Sequence, residues 1–88
     1  MGMSEENAVR AVRVQIFGED HVLRGQASEE YMENLASIVD RRLQEVQKNN
    51  PLLPRHRVAI LVAINLANEL EKLSAEHADL LTLLEEAN

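Results

Sequence analysis

From residue 58 to residue 84 the chain reads VAILVAINLANELEKLSAEHADLLTLL. Within this stretch Ala63, Leu66, Leu70, Leu73, His77, Leu80 and Leu84 recur at alternating steps of three and four, the a and d positions of a heptad. A helix with that seam must bury one stripe against another helix. From Val58 to Ala67 nearly every residue is apolar, so this part of the helix is expected to be surrounded on most sides. Glycine and proline are absent from Arg55 onward. One continuous helix is therefore predicted, with residues 58–67 as a dimerising neck and 68–88 as a coiled-coil rod.

Upstream, Val12, Val14 and Ile16 alternate with Arg13, Gln15 and Phe17, the period-two pattern of a strand with one buried face. Gly18-Glu19-Asp20 supplies turn chemistry, and His21-Val22-Leu23-Arg24 resumes the extended pattern before Gly25. Two strands alone are marginal in water, so the hairpin needs a helix or another sheet against it. Ser28 is a suitable N-cap, and Glu29 and Glu30 place negative charge where the helix dipole favours it. The helix that follows carries an apolar stripe of Met32, Leu35, Ala36, Val39, Leu43 and Val46, widened by Tyr31 and Ile38. It is predicted to end near Lys48 to Asn50, because Pro51 disfavours helical geometry in the residue before it. Pro51-Leu52-Leu53-Pro54 then reads as a stiff connector whose leucines tuck against the core, and Pro54 suits the first turn of the next helix.

These elements define an α+β fold: a small ββα head formed by an N-terminal β-hairpin and a helix, residues 9–53, followed by a long C-terminal coiled-coil helix, residues 54–88. Residues 1–8 read as a frayed tail. With 88 residues, much of them committed to a rod, the core is small and self-association is the expected remedy. The chain has no cysteine, so disulfides and thiolate metal sites are excluded as staples.

Composition narrows the function classes. A net charge of −6 disfavours a nucleic-acid binder, since phosphate neutralisation needs a positive surface. The acidity is uneven: after residue 68 there are six acids, Glu69, Glu71, Glu76, Asp79, Glu85 and Glu86, against Lys72. The head is nearly balanced. No apolar run approaches the length of a membrane span, and the N-terminus lacks a basic and apolar signal pattern, so the protein is expected to be cytoplasmic.

No motif for catalysis stands out. His21, His56 and His77 share no metal-ligand spacing, and there is no glycine-rich phosphate loop, nucleophile elbow or zinc signature, so no catalytic, cofactor or metal site is assigned. His77 at an a position is either tolerated near the end of the seam or specifies register in a pH-dependent way. Leu81 and Leu83, at e and g, widen the stripe beyond what two strands need, which permits an antiparallel tetramer. Asn65 within the apolar neck reads as a buried amide. The one basic concentration is Arg41, Arg42, Lys48, Arg55 and Arg57, with Glu45 and His56 among them. Arg41 and Lys48 fall on one helix face, where an acidic partner could dock; solvated charges around a helix end are the simpler reading.

The segments Val14-Gln15-Ile16-Phe17-Gly18-Glu19, Leu23-Arg24-Gly25, Asn50-Pro51-Leu52-Leu53 and Ala63-Ile64-Asn65-Leu66-Ala67-Asn68-Glu69-Leu70 resemble, in order and spacing, the short Gram-positive type of the cell division protein ZapA family. The resemblance runs from about Val12 to the end. It implies a non-enzymatic partner of FtsZ, the tubulin-like bacterial GTPase, that works at the midcell division septum. Members dimerise through head and neck, associate further through the coiled coil as dimers of dimers, and bundle filaments bound by their heads. FtsZ is acidic, which the resemblance connects with the Arg41 to Arg57 surface. The rod is shorter than in Gram-negative members. A generic cytoplasmic coiled-coil adaptor for another partner is the alternative reading of the same residues.

Overall fold

The computed structural model describes residues 8–87. The expected tail, residues 1–8, lies outside the described residues except for its last member. Four elements follow in order: β1 (Arg10–Ile16), β2 (Glu19–Gly25), α1 (Glu29–Asn49) and α2 (Arg55–Ala87). The chain divides between Leu52 and Leu53 into two units, the first holding the hairpin and α1, the second holding α2.

In the first unit β1 and β2 pair antiparallel with Ile16 opposite Glu19, Val14 opposite His21 and Val12 opposite Leu23. The loop is thus the two residues Phe17 and Gly18, and Glu19 and Asp20 belong to β2 instead of the turn expected at Gly18-Glu19-Asp20. Two-residue hairpin loops match the strand twist when both residues have positive φ. Phe17 has φ 55° and Gly18 φ 79°. Glycine adopts this at little cost, but a bulky residue rarely does. The backbone N–H of Phe17 donates to Asp40 Oδ1 of α1 at 2.7 Å, and Asp40 Oδ2 accepts from Gln44 Nε2 at 2.9 Å. A charged acceptor therefore secures the turn to the helix lying on the hairpin.

α1 begins as its sequence requires. Ser28 is the N-cap with extended backbone, and its Oγ accepts from the Tyr31 N–H at 3.1 Å. Glu29 and Glu30 in the first turn and Lys48 in the last both complement the dipole. At the other end Asn50 closes the helix, its N–H and side-chain Nδ2 both donating to the Val46 carbonyl. The core of this unit is Val12 from β1 with Met32, Ala36 and Leu43 from α1. That buried strip is narrower than the stripe expected from the sequence. Tyr31 and Leu35 are exposed, because a two-stranded hairpin covers only the helix positions facing it, and at about 100° per residue these two fall to one side.

The connector departs from expectation as well. Pro51 and Leu52 form a surface turn, and Leu52 is 97% exposed while Leu53 is half-buried. In the second unit the Pro54 carbonyl accepts from the N–H groups of Arg57 and Val58, so Pro54 stands just before the first helical residue. Val58 and Val62 are the buried residues of α2. Ile60, Leu61, Ile64 and Asn65, expected to be enclosed, are exposed in the single chain.

Asp40→Ala removes the acceptor of a part-buried N–H in a strained turn, which should cost about 1 to 3 kcal/mol. Asp40→Asn keeps an acceptor oxygen and should cost less. Urea denaturation at a fixed protein concentration checks both; equal stability of the alanine variant and the parent would show that the turn holds itself.

Candidate functional site

Two surfaces stand out, one apolar on α2 and one on α1 that carries Arg41 and Lys48 beside Asp40 and Glu45. The apolar surface follows from the heptad pattern on a helix of 33 residues, about 50 Å long at 1.5 Å per residue. Of the seam, Leu70, Leu73, Leu80 and Leu84 are 62%, 63%, 55% and 55% exposed. Leu66 is half-buried, and Ala63 and His77 are exposed. Leu81 and Leu83 extend the patch, and Ile60, Leu61 and Ile64 continue it toward the start of the helix. Completing the burial of each seam leucine is worth about 1 to 2 kcal/mol, scaling the usual 1.5 to 3 for the part already covered. Four of them rival the whole net stability of a small domain, about 5 to 15 kcal/mol.

The charges at the ends of α2 offer it no help. Its first turn holds no acid and its last turn no base. Arg55, His56 and Arg57 stand at the positive end of the dipole, Glu85 and Glu86 at the negative end, the reverse of the arrangement on α1. Stability for such a helix comes from covering its apolar face.

On α1, Arg41 and Lys48 are exposed and line one open depression together with Asp40, Gln44 and Glu45. Arg42 is half-buried on a neighbouring face. Arg55 and Arg57 are exposed in the first turn of α2, within the second unit. Asp40 is the residue that sequence reading passed over. It anchors the depression's floor to the hairpin turn through Phe17, and only the positive φ of a non-glycine residue reveals why an acceptor is needed there. The depressions along α1 are open and shallow, and no group of His, Cys, Asp or Glu among the described residues could hold a metal ion. No helix among those residues is long and apolar enough to cross a membrane.

A hairpin bound to one helix, followed by a long helix with an uncovered leucine seam, has the layout of an association module. Comparison with known proteins gives the family. The family model described as Cell division protein ZapA matches residues 12–88. A Cell division protein ZapA from Geobacillus sp. (strain WCH70) is 35% identical over 82 residues, covering 93% of each chain. One from Bacillus pumilus (strain SAFR-032) is 33% identical over 73 residues, 83% of this chain and 86% of that protein. Among solved structures, a ZapA mutant dimer from Geobacillus stearothermophilus superposes with a TM-score of 0.74 at 28% identity, over 97% of this chain and 99% of that one. The chain belongs to the ZapA family of cell division proteins.

Replacing Leu73 and Leu80 by glutamate places charge in the middle of the apolar seam and should lower the solution mass relative to the parent. Size-exclusion chromatography with light scattering reads the difference, and an unaltered mass would remove the seam from the association surface.

Proposed function

We propose that this protein is a non-enzymatic scaffold of the division ring that binds FtsZ filaments through its head and cross-links or bundles them as a dimer or tetramer. The observation that carries the reading is the uncovered leucine seam of α2 in a member of this family. A helix face of that size calls for another helix, and the similar solved structure is a dimer. In this reading residues 58–67 form the dimerising neck, and residues 68–88 space or join dimers through Leu70, Leu73, His77, Leu80 and Leu84, with Ala63 and Leu66 at the junction. The protein acts in the cytoplasm, at the midcell septum.

Cross-linking follows from multivalency. One head holding a filament weakly becomes effective once a second head on the same assembly binds a neighbouring filament, because the second contact forms at high local concentration. The acidic α2, with six acids and one lysine after residue 68, repels an acidic filament and leaves contact to the head. Arg41 and Lys48, both exposed on one depression, are the first contacts to test, with Arg42 on the same helix; Arg55 and Arg57, in the first turn of α2, are a separate candidate pair.

Co-sedimentation with purified FtsZ and GTP tests the reading. The parent should pellet with the filaments and bundle them under the electron microscope. Arg41→Glu with Lys48→Glu should weaken co-sedimentation, and higher salt should weaken the parent's binding in the same direction. If the parent neither pellets nor bundles, the protein is an adaptor for another partner.

A further inference from the structure

Among the described residues the sheet has two strands, which leaves each strand one edge without a strand beside it. The residues flanking a two-residue hairpin loop, here Ile16 and Glu19, form a hydrogen-bonded pair, and bonded and non-bonded pairs alternate from there along the ladder. Val14 with His21, Val12 with Leu23 and Arg10 with Gly25 are therefore the bonded pairs. The backbone N–H and C=O groups of Asp20, Val22 and Arg24 point away from β1, along the free edge of β2. Their side chains share the face opposite to that of Val12 and Leu23, and all three are exposed. Val22 is 52% exposed although it is a large apolar residue in the middle of a strand.

An unpaired edge is a liability that proteins usually guard with charge. Here the guards have opposite signs and stand at equal distances from Val22. If a second β2 strand approaches antiparallel about a two-fold axis through Val22, Asp20 of each copy falls opposite Arg24 of the other, and the two Val22 side chains meet at the centre. The same operation places every outward N–H opposite an outward C=O, because Asp20, Val22 and Arg24 map onto Arg24, Val22 and Asp20. Opposite charges and apolar side chains directly across from each other each stabilise a strand pair. The free edge of β1 has no such symmetry: its central outward residue is Arg13, and two copies centred there oppose like charges.

We propose that the free edge of β2 is a self-complementary docking surface for a second copy of this chain, centred on Val22 and joining two hairpins into one four-stranded antiparallel sheet. The surface lies wholly within the hairpin and is separate in the chain from the seam of α2. It gives the head its own means of self-association, and a strand from an unrelated protein would lack the paired Asp20 and Arg24 register.

The absence of native cysteine makes the test direct. Bonded antiparallel partners stand about 5.5 Å apart between Cα atoms, with their Cβ atoms a little beyond the reach of a direct disulfide, so a short thiol-bridging reagent suits the pair. Val22→Cys in the full chain should form a covalent dimer with a short bis-maleimide. Asp20→Cys should not, because two copies of residue 20 lie about 14 Å apart in this register at 3.4 Å per residue. In the Val22→Cys background, Asp20→Arg should slow cross-linking several-fold, and adding Arg24→Asp should restore it, since the swapped pair is again complementary. Cross-linking of Asp20→Cys as fast as Val22→Cys, no cross-linking at Val22, or failure of the double charge swap to restore it would each overturn the proposal. The last of these arms separates register from a folding defect, because both charge variants alter only exposed side chains.

Discussion

An apolar stripe in water is tolerated only at a cost that grows with its area, and the stripe on α2 is the feature to which the rest of the molecule answers. The leucines at positions 70, 73, 80 and 84 all keep more than half of their surface uncovered in one copy. Neither the ends of α2 nor its charges supply what the stripe lacks, since cations stand at its start and acids at its finish. A long helix of this kind holds together through what covers it, and a second copy is the proposed cover.

The head is built on a different principle. Its core has few members, Val12, Met32, Ala36 and Leu43, so directional bonds carry a larger share of the structure. Asp40 is the clearest case: one carboxylate oxygen takes the N–H of a turn residue in a rarely populated conformation, the other takes a neighbouring side-chain amide. This ties the loop of the hairpin to the helix face that also carries Arg41, Gln44 and Lys48. The turn is thereby tied to the same helix that carries the depression lined by Arg41 and Lys48.

Much of this was legible in the sequence because it rests on periodicity and capping. Alternation at Val12, Val14 and Ile16, the cap at Ser28, the stop at Pro51 and the heptads after Ala63 are local signals, and each element appears where its signal lies. The departures have a common cause, which is that patterns specify faces without saying what will cover them. Tyr31 and Leu35 belong to the apolar stripe of α1 by spacing, yet a hairpin is too narrow to reach them. Ile60, Ile64 and Asn65 sit in a run that reads as enclosed, and a single chain leaves them bare. The turn shifted to Phe17-Gly18 because Phe17 accepted a positive φ, which no propensity for phenylalanine foretells and only the distant Asp40 explains. The basic residues were visible as a cluster in sequence, but only the fold shows that Arg41 and Lys48 share one depression.

The proposed cover of the α2 seam is another copy of the chain. Solution mass of the unaltered protein, followed by light scattering over a wide range of concentration, addresses it most directly. The expected result is twice or four times the 9.9 kDa of one chain, falling toward the single-chain value only on strong dilution. A mass of one chain throughout the range, with the helix still formed by circular dichroism, would contradict it.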